Sequence, residues 1–171
     1  AAWNPTGTKF VIGRQSNVAE LESVAVSVFD ASDPSEIKLL GEFNVPGSVF
    51  AVAWSPSGKN IVVTARAGFR DKDRVFFVDA ERFEVVQAAG GLNQTGNRVK
   101  FLNDTDRVLV CGNSGLDMID FSVKPAIVKS RNDLEEVLDD LYVDSDGKRA
   151  VARSPVTGQI KVFDVESLAD V

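Results

Sequence analysis

One phrase occurs four times in this chain of 171 residues and limits its fold more than any other feature. It is a strand end, a turn, an apolar run, and later an apolar residue followed by aspartate. It reads Trp3-Asn4-Pro5-Thr6-Gly7 with Phe29-Asp30, then Trp54-Ser55-Pro56-Ser57-Gly58 with Val78-Asp79. It returns as Phe101-Leu102-Asn103-Asp104 with Ile119-Asp120, and as Val143-Asp144-Ser145-Asp146-Gly147 with Phe163-Asp164. The anchors Trp3, Trp54, Phe101 and Val143 stand 51, 47 and 42 residues apart. A period in this range marks stacked supersecondary units, each unable to bury its apolar faces alone.

The second repeat reads most clearly. Val49 to Trp54 is a first strand, and Ser55-Pro56-Ser57-Gly58-Lys59 a turn whose Pro and Gly supply the required dihedrals. Asn60 to Ala65, with Ile61-Val62-Val63, has the unbroken apolar run of a strand buried on both faces. Val75 to Asp79 and Phe83 to Ala88 complete four strands separated by polar links. Phe10-Val11-Ile12, Val108-Leu109-Val110 and Ala150-Val151-Ala152 fill the second-strand place in the other repeats. The reading is an all-β chain: a β-propeller of four consecutive four-stranded antiparallel blades, 1–47, 48–97, 98–137 and 138–171.

On these residues the chain resembles the WD-repeat and related YVTN-type propeller families over essentially its whole length. The apolar-Asp pairs stand where the family places its Trp-Asp dipeptide, and Ala53-Trp54-Ser55-Pro56-Ser57-Gly58-Lys59 is similar to its strand-one exit. The chain departs in having no Gly-His pair, and no histidine at all. The hydrogen-bond network of that histidine cannot form, which favours a divergent or YVTN-like member. Only Ala1 and Ala2 precede Trp3, and Val171 aligns with Val86 partway along an outer strand. An open ring leaves sheet edges and faces bare, so the pattern predicts an arc of a ring of about six to eight blades. Further sequence or a second chain would complete it.

One segment competes with this frame. Leu134, Val137, Leu138 and Leu141 follow the i, i+3, i+4, i+7 spacing of an amphipathic helix. The repeat register instead makes Leu138 to Val143 a strand and leaves 132–137 as a short helical turn.

Composition narrows the chemistry. A net charge of −6 opposes general nucleic-acid binding, and no apolar run approaches the roughly 18–20 residues of a membrane span. Without histidine, a Ser-His-Asp triad, a Cys-His pair and a histidine metal site are impossible within the chain. Cys111, the single cysteine, permits no internal disulfide, closes a buried-type strand and reads as an inert core thiol. Cysteine usage suits a cytoplasmic location, with periplasmic or extracellular as the alternative. Asp144-Ser145-Asp146-Gly147 opens like a calcium loop, but the twelfth position is Pro155, so a plain turn is expected.

Three surfaces are candidates for recognition. Arg14, Arg66 and Arg153 follow second strands, with Arg70 in the long second link; strand-two exits lie on one rim, so they read as independent solvated arginines or, alternatively, as a basic arc for carboxylates or a phosphate. Asp133, Glu135, Glu136, Asp139 and Asp140 make an acidic edge, read as a solvated border or as a dock for a basic partner. The long links Arg14 to Ser23 and Arg66 to Arg74 exceed what a hairpin needs. Within them Arg14, Arg66, Phe69 and Arg70 combine planar donors with an apolar anchor, the residue types enriched at interface hot spots. Asn93, Gln94, Thr95, Gly96 and Asn97 read as a link or a channel mouth. Trp3 and Trp54, being equivalent, are expected to be packing residues. No nucleophile, base or metal constellation is visible, so the function expected is a non-catalytic protein–protein interaction scaffold without cofactor or metal, bound to other subunits. The alternative is a propeller enzyme or ligand sensor of the lactonase type, its site completed by other blades.

Overall fold

β-Branched and aromatic runs broken by Gly, Pro, Asn and Asp turns leave the backbone no regular option but strands. The structure, a computed structural model, describes residues 1–14, 23–66, 74–90, 96–103, 105–113 and 115–171, and among them no helix occurs. The first sheet is β1 (Ala2–Trp3), β2 (Lys9–Gly13), β3 (Val24–Asp30) and β4 (Lys38–Val45). The second is β5 (Ser48–Trp54), β6 (Asn60–Arg66), β7 (Arg74–Asp79) and β8 (Glu84–Ala89). The third is β9 (Arg98–Phe101), β10 (Arg107–Cys111), β11 (Leu116–Asp120) and β12 (Ile127–Arg131). The fourth has three strands, β13 (Asp140–Val143), β14 (Arg149–Arg153) and β15 (Ile160–Asp164). Its outer strand is reduced to a bridge between Phe163 and Asp170, beside a hydrogen bond from the Val171 N–H to the Val162 carbonyl at 3.0 Å. All strand pairs are antiparallel and join sequence neighbours.

The repeated phrase has a physical reason at both ends. Between first and second strands, Gly7, Gly58 and Gly147 adopt φ of 68°, 74° and 68°, left-handed values that suit glycine. The residue three earlier ties the turn with its side chain. Asn4 Oδ1 accepts from the N–H groups of Thr8 and Lys9, each at 2.9 Å, and Ser55 Oγ from Asn60 at 3.0 Å. Asp144 Oδ1 accepts from Lys148 at 2.8 Å and Arg149 at 3.2 Å, so the Asp144–Gly147 segment is a turn like the others. Between third and fourth strands the repeated aspartate does the same work. Asp30 accepts from the Ser32 N–H, Asp79 from Glu81 and Arg82, Asp120 from Ser122, and Asp164 from Ser167, all at 2.8–2.9 Å. The apolar-Asp pair is thus a strand end followed by an Asx-type cap.

Side chains alternate across each strand, so every sheet offers two faces. One row crosses each sheet from its anchor: Trp54–Ile61–Val78, Phe101–Val108–Ile119, and Val143–Ala150–Phe163. Each row packs on the preceding sheet. Trp54, Ile61 and Val78 cluster with Val11, Val26 and Val28, and Phe101, Val108 and Ile119 with Val62 and Phe77. Phe163 and Ala150 cluster with Leu109 and Leu116. Among the described residues no such cluster joins the fourth sheet to the first, so the four sheets form an open arc.

Leu134, Leu138 and Leu141 are buried, yet not on a helix. The chain runs from β12 to β13 without regular structure, and Leu134 and Leu138 on that stretch, with Leu141 on β13, enter the core between the third and fourth sheets. Burial from a sheet junction produced the helical spacing, and the expected helical turn at 132–137 does not form.

Candidate interaction surfaces

The links that follow β2 and β6 begin at the same end of the arc. The Arg14 carbonyl accepts the Val49 N–H at 3.0 Å, and Arg66 lies opposite Ser48 in the β5–β6 register. The start of β5 therefore sits between Arg14 and Arg66, both exposed. A bulge between Val49 and Ala51 takes Phe50 out of the ladder, and the Thr64 hydroxyl accepts the Ala51 N–H at 2.9 Å. Bulges re-aim the extra side chain. Here the Arg66 guanidinium stands 5.9 Å from the centroid of the Phe50 ring, a cation–π arrangement. Phe69 and Arg70 lie outside the described residues. Phe50 escaped sequence reading because Val49-Phe50-Ala51-Val52-Ala53 is apolar throughout and carries no mark of a register break.

The three arginines do not make an arc. Counted from Phe10, Ile61 and Ala150 of the anchor rows, Arg153 is third, Arg14 fourth and Arg66 fifth. Successive strand positions point to opposite faces, so Arg66 and Arg153, two places apart in this count, share a side that Arg14, just past the end of β2, does not. Arg153 is engaged elsewhere, its Nη2 lying 2.6 Å from Asp140 Oδ2 on the neighbouring strand.

The acidic edge is largely neutralised by its own fold. Asp133 meets Arg131 at 2.8 Å, Asp139 meets Arg98 at 3.0 Å, and Glu136 meets Lys161 at 3.5 Å while accepting from the Thr157 hydroxyl at 3.0 Å. Asp140 is held by Arg153. Arg131 also binds Asp170 at 2.7 Å, and its hydrogen bonds hold the carboxyls of Asp133 and Asp170 below the usual carboxylate range. This supports the solvated-border reading over a dock for a basic partner.

The two anchoring tryptophans differ. Trp54 is buried and its indole N–H donates to the Gly58 carbonyl at 3.0 Å. Trp3 is 58% exposed, edge-on to Phe10 at 5.2 Å, and Phe10 stacks on Phe29 at 5.0 Å. Both are packing residues, but Trp3 is not buried as Trp54 is, because among the described residues no sheet lies over its row. Cys111 is buried, its thiol pushed up to about 12 by burial, and it donates to the Leu138 carbonyl at 3.5 Å. Of the polar link at 93–97, only Gly96 and Asn97 are described. Gly96 accepts the Thr64 hydroxyl at 2.7 Å, and Asn97 Nδ2 donates to the Leu138 carbonyl at 3.4 Å. Both contacts stitch adjoining sheets together.

No protein-family model and no curated protein matches the sequence. Solved structures do match the fold. The β-propeller domain of Cps50 (Swd1) from Myceliophteria thermophila superposes with a TM-score of 0.77 at 10% identity, over 98% of this chain and 51% of that one. Hydrazine synthase from Kuenenia stuttgartiensis superposes with a TM-score of 0.77 at 22% identity, over 99% of this chain and 46% of that one. The chain therefore spans about half the length of these neighbours. At such identities the likeness speaks for the fold alone. The chain is an all-β propeller arc of consecutive antiparallel blades, the fourth with its outer strand reduced to a single bridge.

Proposed function

We propose that the chain is part of a non-catalytic protein–protein interaction scaffold, with its principal contacts on the rim where the second strands of the first two sheets end. The observation that carries this reading is the Arg66 guanidinium lying over the Phe50 ring, at the end of the sheets where the Arg14 carbonyl holds the start of β5. Planar donors beside an aromatic face suit a protein hot spot, and rigid sheets hold them without ordering cost. We include in the proposal Phe69 and Arg70, which follow Arg66 in sequence and lie outside the described residues. The repeat's carboxylates, by contrast, are tied to turn N–H groups and to neighbouring bases, roles internal to the fold.

The test is binding of the partners that co-purify with the protein, compared with Arg66→Ala combined with Arg70→Ala. Loss of the cation–π contact costs about 0.5–1 kcal/mol at an exposed site, a shift of a few degrees in Tm. The double substitution should release the partner while the melting curve moves no further than that. A complex that survives intact refutes the assignment of this rim.

A further inference from the structure

Each second strand opens with a polar residue opposite the repeated aspartate: Lys9 faces Asp30, Asn60 faces Asp79, Arg107 faces Asp120 and Arg149 faces Asp164. The turns after Asp79 and Asp164 share one conformation. Phe83 and Leu168 take left-handed φ of 58° and 61°, and their N–H groups donate to the aspartate carbonyls at 2.9 and 2.8 Å. Glu81 and Glu166 hold the same place in these two turns. Between the third and fourth sheets that glutamate is paired, Arg107 Nη2 lying 2.7 Å from Glu166 Oε1. Between the first and second sheets the corresponding residues are Lys9 and Glu81, and among the described residues neither makes an ion pair. A cleft of about 670 Å³ opens there instead, with Lys9, Lys59 and Glu81 in its lining and Leu40, Trp54 and Phe83 as its apolar wall. Two irregularities shape that wall. Leu40 is the extra residue of a bulge in β4, between Leu39 opposite Phe29 and Gly41 opposite Val28, and it is 40% exposed. Gly41, lacking a side chain, lets the Phe83 ring lie against the strand. The carboxylates of Asp30 and Asp79 are engaged by backbone N–H groups, which leaves Lys9, Lys59 and Glu81 as the charges available to an occupant.

We propose that this cleft binds a zwitterion with an apolar side chain, a free α-amino acid of the size of phenylalanine or leucine. The carboxylate lies on Lys9 and Lys59, the ammonium group on Glu81, and the side chain against Leu40, Trp54 and Phe83. A simple anion satisfies the lysines and is repelled by Glu81, and a simple cation meets the reverse. A ligand carrying both charges completes across the cleft what Arg107 and Glu166 complete directly at the other junction. An apolar wall with a few placed charges is the usual make-up of a small-molecule site. The cleft lies where the second strands begin and the Arg66 rim where they end, so the two assignments stand or fall independently.

Trp54 lines the cleft and reports on it. In a Trp3→Phe background it is the only tryptophan, and its emission should respond saturably to L-phenylalanine and L-leucine. Half-saturation at about 1 mM suits so small a ligand. Phenylacetate lacks the ammonium group and phenethylamine the carboxylate, and each should bind at least about tenfold more weakly than phenylalanine. Glu81→Gln should weaken phenylalanine about tenfold and leave phenylacetate no weaker. Lys9→Gln combined with Lys59→Gln should weaken phenylalanine and phenylacetate but not phenethylamine. None of the three side chains belongs to the core, so far-UV circular dichroism and Tm should stay those of the background chain. No saturable response to either amino acid overturns the proposal. Phenylacetate binding as tightly as phenylalanine, unmoved by Glu81→Gln, shows a plain anion site. Binding unmoved by any of the charge changes shows a purely apolar cleft, and either result overturns the zwitterion assignment.

Discussion

Phe77 is where the packing of adjoining blades can be measured most directly. It is 5% exposed on the face of the second sheet that meets the third. Its ring stacks on Phe121 at 4.9 Å with an interplanar angle of 21° and tilts against Phe101 at 6.2 Å. Phe77→Ala removes a buried ring and leaves a cavity that the flanking strands cannot fill, a cost of about 3–5 kcal/mol. The stacked pair contributes roughly 0.5–1.5 kcal/mol of coupling beyond area. At about 2–4 °C per kcal/mol for a chain of this size, Tm should fall by roughly 6–20 °C. Urea titration followed by circular dichroism measures the loss, and a double-mutant cycle with Phe121→Leu isolates the ring pair. A cost below about 1 kcal/mol, far under the range for a buried Phe, with no coupling to Phe121, would refute the assignment of the two faces to one junction.

Gly41→Ala should destabilise by about 1–3 kcal/mol through overpacking, because a Cβ there would stand 2.4 Å from Cδ2 of Phe83. Most of that penalty should vanish in the Phe83→Ala background, and simple additivity in denaturant titrations would contradict the contact. In acid, hydrogen bonds from the backbone N–H groups of Ser32, Arg82 and Ser167 hold the carboxyls of Asp30, Asp79 and Asp164 below the usual range. Folded values below unfolded ones mean stability is present above the unfolded carboxyl pKa of about 4 and is lost as pH falls through the depressed values. Asp164→Asn keeps an acceptor without the titration, so Tm should fall less steeply with pH below about 4 than in the wild type, and equal slopes would contradict the role of this cap. Cys111, with its thiol pushed up to about 12, should resist a thiol reagent at mildly alkaline pH until the chain unfolds. Rapid labelling of the folded protein would contradict its burial.

The strands were legible because the repeat encodes two chemical necessities. Asn4, Ser55 and Asp144 must tie one turn, and Asp30, Asp79, Asp120 and Asp164 must cap the other, whatever the strands between them contain. Environment was less legible than position. Trp3 and Trp54 are equivalent in the repeat, but burial depends on whether another sheet lies in front, which no local pattern states. The helical spacing of Leu134, Leu138 and Leu141 records burial against two sheets, a demand that an irregular segment running into a strand meets as well as a helix. The arginine arc depended on strand parity, which sets Arg14 one place off from Arg66 and Arg153, and on Asp140, which holds Arg153. The acidic edge needed Arg98 and Lys161, bases from other strands that only the folded chain brings beside Asp139 and Glu136. Phe50 depended on a bulge, and the Arg66 contact it makes could be found only with the register in hand.

The backward orientation of the anchor rows bears on how such a chain is made. Trp54, Phe101 and Val143 open rows that pack on the sheet before them, so each new sheet finds its counterpart already synthesised. Translation proceeds at about 5–20 residues per second, so one repeat takes roughly 2–10 s to emerge. During that interval the surface waiting for cover is the valine face of Val11 and Val28, or its counterpart one sheet on. The anchor rows of the second, third and fourth sheets are never displayed ahead of a template. The order in which the ribosome releases the blades is the order in which they can be buried.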